Sequence, residues 1–182
     1  MNLAFGVLYA WSIFAGKLQE TLGWTKTESS IPYTIAIIMF AIMMVPAGRL
    51  QDKIGPRWVA TLGGVLIGAG CILAGSMDSI LGLSIAFGVL AGSGIGLGYA
   101  STTPPAVKWF SPKQKGLISG IVVGGFGLAP LYIVPLTKFL LSRWDVFTSF
   151  RILGFLFLVI TLPLAQFIRN PKANEMPTST AL

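Results

Sequence analysis

There is no histidine in this chain, and its one cysteine, Cys71, lies inside an apolar run. Histidine metal ligation and a histidine proton relay are thereby excluded, and an isolated thiol implies neither a disulfide nor a metal site. Charge is almost as scarce. Charged residues make up 10% of the 182 residues and acids number only six, where an ordinary soluble domain carries about 25%. No nucleophile–base pair or metal cluster stands in or near the apolar runs, which argues against an enzyme and calls for no cofactor. No acid or base interrupts the uncharged intervals, so proton coupling through an intramembrane carboxylate is disfavoured.

What is abundant is apolar surface: 54% of residues are hydrophobic and the mean hydropathy is +0.78. This is the composition of an all-α, polytopic membrane protein whose partner is the lipid bilayer. A net charge of +7 would suggest nucleic acid in a soluble protein. Here the basic residues punctuate the gaps between apolar runs, so their sign reports topology and no nucleic acid is expected. A bilayer core of about 30 Å needs roughly 20 apolar residues in a helix. The uncharged intervals 29–48, 58–77, 79–107, 116–137 and 152–168, with the run before Lys17, give six candidate helices. Their expected bounds are 1–18, 29–48, 57–77, 80–105, 116–138 and 149–168, forming one unit over 1–169. Pro104-Pro105 is expected to end the fourth helix or bend its exit.

Counting Lys and Arg between spans sets the orientation. With an inside N-terminus, the cytoplasmic set is Arg49, Lys53, Arg57, Lys108, Lys113, Lys115, Arg169 and Lys172, and the outer set is the smaller Lys17, Lys26, Lys138, Arg143 and Arg151. Both termini are therefore expected in the cytoplasm, in a multi-pass protein of the cell membrane. The run before Lys17 reaches about 24 Å as a helix, short of a full span, and has no basic lead. A truncated or misassigned start is expected rather than a cleaved signal peptide. Residues 170–182 are polar, carry two prolines and read as a cytoplasmic linker to a further segment.

Between the second and third runs stands Gly48-Arg49-Leu50-Gln51-Asp52-Lys53-Ile54-Gly55-Pro56-Arg57. Gly55 permits a tight turn, Pro56 suits the first turn of the next helix, and Arg49, Lys53 and Arg57 hold the connection inside. The segment resembles the loop signature between the second and third helices of major facilitator superfamily transporters. Lys108-Trp109-Phe110-Ser111-Pro112-Lys113-Gln114-Lys115-Gly116-Leu117-Ile118-Ser119-Gly120 resembles the K-W-F-P-x-x-K-G-L-x-S-G segment of oxalate/formate antiporter relatives. Tyr9-Ala10-Trp11-Ser12 is similar to that family's Y-x-W stretch. The resemblance covers essentially the whole chain but only the family's first half.

It implies six helices arranged as two three-helix units of inverted topology, with a second six-helix half to complete the carrier. Gly6-Val7-Leu8-Tyr9-Ala10 and Gly96-Leu97-Gly98-Tyr99-Ala100 share a G-x-x-Y-A pattern, and Val45-Pro46 and Val134-Pro135 recur at nearly the same offset. The function implied is alternating-access, antiporter-like transport of small organic anions such as mono- or dicarboxylates. Gly48, Arg49, Asp52, Gly55 and Arg57 would form the conformational switch, with Lys108, Trp109, Lys115 and Gly116 in the loop between helices four and five. Tyr9, Trp11 and Tyr99 match family positions implicated in lining the cavity. Leu8 stands where the family's oxalate carrier has glutamine, and Phe126 where it has tyrosine, which puts oxalate itself in doubt. Ser12, Ser101, Thr102 and Thr103 add polarity at mid-depth. Glycines at 92, 94, 96 and 98, and at 120, 124, 125 and 127, suit either static close packing or sliding between states. Two other readings stand beside the carrier: a half-sized carrier or channel acting as a homodimer, and a non-transporting membrane remnant.

Overall fold

A computed structural model describes residues 1–171 and 175, and among them all regular structure is helical. Six helical segments follow in order. The first, α1, covers 2–22 as Asn2–Phe5, a 3-10 stretch Gly6–Ala10, and Trp11–Leu22. Then come α2 (Lys26–Ile54), α3 (Pro56–Ala74), α4 (Ile80–Lys108), α5 (Pro112–Arg143) and α6 (Val146–Gln166). The last five are long and apolar enough to cross a membrane.

α2 and α5 overrun their uncharged intervals at both ends, and α3 and α6 overrun theirs at the start. A charged residue costs little in the headgroup region, so a helix need not stop where hydrocarbon does. Thr25 caps α2: its hydroxyl accepts from the Glu28 backbone N–H at 3.2 Å while Glu28 accepts from the Thr25 N–H at 2.8 Å. This reciprocal capping box starts the helix at Lys26, three residues before the interval does. At the other end α2 continues through Gly48 to Ile54, so most of the expected signature loop is helix. Only Gly55 is non-helical, with φ 89°, and Pro56 opens α3. Asp145 caps α6 by accepting from the Thr148 N–H at 2.7 Å. That N–H bond is the main reason its carboxyl sits below the ordinary carboxylate pKa.

Pro104 and Pro105 bend α4 but do not end it. The break falls earlier, at Ser101–Thr102, and the prolines enter the first turn of a further segment, Thr103–Lys108. Each proline ring excludes a hydrogen bond to a carbonyl four residues back, so the preceding turn opens. Pro130 follows a similar turn at Leu128–Ala129 in α5. The expected tail 170–182 lies largely outside the described residues, Lys172 among them.

Glycine sets the packing of α4. Residues two apart on a helix point about 200° away from each other, so its four alternating glycines form two opposed stripes. A Cβ on Gly92 or Gly96 would lie 2.6 Å from the carbonyl oxygens of Ala36 or Phe40 on α2. A Cβ on Gly94 would lie 2.6 Å from the Gly63 oxygen on α3. Between lipid-soluble helices no hydrophobic drive favours association, and close backbone contact supplies dispersion instead. α6 closes on the other side of α3, and α1 threads the centre, burying Phe5, Phe14 and Leu18. The α5 glycines differ: Gly116, Gly120, Gly124 and Gly127 have nothing within 4 Å of an added Cβ.

Gly94→Val should therefore destabilise the detergent-solubilised protein by about the 1–3 kcal/mol that overpacking costs, read as a lower thermal midpoint. Gly120→Val should leave it nearly unchanged. Equal midpoints for the two variants would contradict this packing scheme.

Candidate functional site

The two G-x-x-Y-A segments are used alike. Gly6 of α1 lies against Ala129 of α5, and an added Cβ there would be 3.5 Å from the Phe126 oxygen. Gly96 of α4 lies against Met43 of α2, and its Cβ would be 2.6 Å from the Phe40 oxygen. Three residues on, each tyrosine meets the phenylalanine of the helix its glycine touches. Tyr9 packs on Phe126 with ring centroids 5.5 Å apart, and Tyr99 meets Phe40 edge-on at 5.7 Å. Phe40 and Phe126 lie nearly parallel at 6.1 Å, and Tyr99 also reaches Phe126 at 5.2 Å.

Four rings from α1, α2, α4 and α5 thus form one cluster. Tyr9 is 40% exposed and the other three are half-buried. Among the described residues, neither tyrosine hydroxyl has a hydrogen-bond partner. A face of positive ring edges and free phenol donors suits a carboxylate. The tyrosines meet Phe126 rather than each other, and Phe40 is the member that sequence reasoning missed. The signal was there: Tyr9 and Tyr99 are 90 positions apart, while Phe40 and Phe126 are 86 apart. The Val-Pro recurrence, 89 apart, is three residues out of that register.

Trp11 is not brought to the cluster. It is 4% exposed, its indole N–H donates to the Ser29 oxygen at 2.9 Å, and its ring lies 4.5 Å from Phe87 and 6.2 Å from Phe150. Leu8 is also buried. Of the polar residues nearby, Ser12 is exposed, whereas the Ser101 hydroxyl donates to the Gly98 oxygen at 3.0 Å. Thr102 donates to Asn2 Oδ1 at 2.7 Å, and the Asn2 amide donates to the Val122 oxygen at 2.7 Å. This buried relay ties α1 to α4 and α5, and nothing in the N-terminal sequence singled out Asn2. The Thr103 hydroxyl is buried and, among the described residues, without a hydrogen-bond partner.

The signature residues lie at the end of the bundle where α2 meets α3. Gly48 has open space around it and Arg49 is exposed. Arg57 donates from Nε to Gln166 of α6 at 2.6 Å, and the Gln166 amide donates to Thr61 at 3.2 Å. Asp52 is exposed and, among the described residues, makes no ion pair or hydrogen bond. In the connection between α4 and α5, the Trp109 indole donates to the Arg169 oxygen at 3.1 Å. The Arg169 guanidinium sits 4.7 Å over that ring and pairs with Glu175 at 3.0 Å. Lys108 and Lys115 are exposed, and Gly116 is open. Among the described residues no group of three or more metal-ligating side chains occurs.

Comparison with known proteins gives the family. The family model for the Major Facilitator Superfamily matches residues 2–181. The chain is 31% identical to the uncharacterized MFS-type transporter YhjX of Escherichia coli over all of its own length and 45% of that protein's. It is 31% identical to the oxalate:formate antiporter of Oxalobacter formigenes, over 94% of this chain and 40% of the antiporter. Monocarboxylate transporter 13 of Rattus norvegicus matches at 30% identity over 78% of this chain and 33% of that protein. The chain spans less than half the length of these relatives. One of these relatives is named an antiporter and the other two are named transporters.

Trp11→Phe tests the core assignment. Losing the buried N–H bond and part of the ring should cost roughly 1–3 kcal/mol of stability and leave substrate affinity unchanged. Thermal denaturation in detergent beside an affinity measurement checks it. Weakened affinity at unaltered stability would return Trp11 to the binding site.

Proposed function

The chain belongs to the major facilitator superfamily, and from that membership we propose that it forms the N-terminal half of a secondary carrier for small mono- or dicarboxylates. The carrier works by alternating access and exchange. The observation that carries this reading is the four-ring cluster with its two free phenol hydroxyls. Relatives named for oxalate:formate exchange and for monocarboxylate transport support the substrate class. The six segments are read as six spans in two inverted three-helix units. The matched contacts of Gly6, Tyr9 and Phe126 with those of Gly96, Tyr99 and Phe40 support that repeat. A second six-helix half then covers the open face of α5 and supplies the cation the anion needs, since among the described residues no basic side chain stands beside the cluster. The excess of Lys and Arg at the signature end supports a protein of the cell membrane with both termini in the cytoplasm.

Each phenol donates one hydrogen bond to a carboxylate in a site of low dielectric. Such a bond is worth about 1.5–3 kcal/mol, so Tyr9→Phe or Tyr99→Phe should weaken anion binding roughly ten- to a hundredfold. The measurement is carboxylate affinity of the complete transporter in proteoliposomes, with Tyr33→Phe as the control. Unchanged affinity in both variants sinks the binding-site assignment.

Asp52 is assigned to the conformational switch, because its carboxylate is free to take a helix N-terminus or a basic group from the second half when the cytoplasmic side closes. A helix N-terminus favours an anion by about 0.3–1 kcal/mol when exposed, and by up to about 2 kcal/mol when partly buried. Asp52→Asn should slow exchange several-fold with substrate binding retained. Wild-type exchange rates in well-expressed Asp52→Asn protein would reduce the segment to a topological anchor.

A further inference from the structure

At the end of the bundle opposite the signature, α1 and α5 part to form an open pocket of about 450 Å³. Its walls include Ser12, Gly16, Lys17 and Glu20 of α1 and Lys138 and Ser142 of α5. Lys17 is paired with Glu20 at 2.8 Å. Lys138 faces them from α5 and, among the described residues, has no ion pair. Among the described residues the pocket therefore carries one uncompensated positive charge beside the Ser12 and Ser142 hydroxyls, a setting that attracts mobile anions.

One exposed face of α1 runs from the pocket toward Tyr9. Tyr9, Ser12, Gly16 and Glu20 are spaced by three, four and four residues, which places them along one face of α1, and all four are exposed. Gly16 has no atom within 4 Å of an added Cβ, so the face is unobstructed at its midpoint. From Tyr9 to Lys17 the rise is about 12 Å. An anion at the lysines is thus about two helical turns from the first free phenol.

Resting on the carboxylate-carrier reading, we propose that Lys138, with Lys17, forms an anion-collecting vestibule that receives a small carboxylate before it reaches Tyr9 and Tyr99. Lys138 is the holding charge. Glu20 keeps Lys17 in place and limits retention, so the anion enters without being trapped.

The test reads local potential and needs no transport. In the complete transporter with Cys71→Ala and Ser12→Cys, in phosphatidylcholine vesicles at low ionic strength, thiol modification by a sulfonate-bearing methanethiosulfonate is compared with that by a trimethylammonium analogue. The anionic-to-cationic rate ratio should fall about fivefold in Lys138→Gln, and about 0.5 M salt should erase most of that difference. Lys138→Arg should keep the ratio, which separates charge from misfolding. Oxalate or formate at millimolar concentration should slow the anionic reagent. A ratio indifferent to Lys138→Gln overturns the proposal. So does a field quenched by anionic phospholipid but not by oxalate or formate, which would make the lysines a headgroup contact. A transporter that shows the labelling response and exchanges no carboxylate would leave the vestibule standing and refute the carrier reading.

Discussion

Backbone-to-backbone approach along α4 is the contact on which the bundle depends. In lipid the helices gain nothing by hiding apolar side chains from one another, so cohesion has to come from dispersion at short range. Gly92 and Gly96 bring α2 onto one side of α4, and Gly94 brings α3 onto the other. α6 then has α3 to pack against, and α1 is held at the centre by Phe5 beneath Gly98. The α5 face is the exception, with its glycines bordering open space. The same residue type is thus spent on cohesion in one helix and left available in another.

The ring cluster follows from that framework. Gly96 brings α2 close enough for Phe40 to meet Tyr99, and Gly6 brings α5 close enough for Phe126 to meet Tyr9. Position and chemistry are therefore coupled, because the glycine that fixes each helix pair lies one turn from the tyrosine that pair presents. The polar relay through Asn2 and Thr102 fastens three of these four helices, α1, α4 and α5, about one turn further along. A buried amide that satisfies both neighbours holds their spacing at a depth where an unpaired polar group would be costly.

The helical class and five helices long and apolar enough to cross a membrane were legible in the sequence because charge is confined to the gaps. Helix ends were not, because charge marks the edge of hydrocarbon and the capping box at Thr25 and Glu28 marks the edge of the helix. Ile54 shows the same point at the other end, where the signature residues are good helix formers and only Gly55 breaks the run. Tyr9 and Tyr99 stood out by their repeated pattern and Phe126 by the family resemblance, whereas the contact of Phe40 with these rings required knowing that the second pair of helices is offset by four residues relative to the first. Trp11 shows the converse limit. A tryptophan beside a site tyrosine is separated from it by 200° of helix rotation, and here that rotation turns it into the core. The prolines of α4 were read correctly as a disturbance, but their effect is exerted on the turn before them.

Gly55 leaves α2 and α3 joined by a single residue outside helical geometry. Such a joint has no slack to take up relative translation, so any tilt of one helix is passed to the other at that end. The pair is also a ready-made hairpin in the sense of biogenesis. Once α2 has entered the bilayer, α3 has no length of loop with which to wait in the aqueous phase, and the two are committed to partition together.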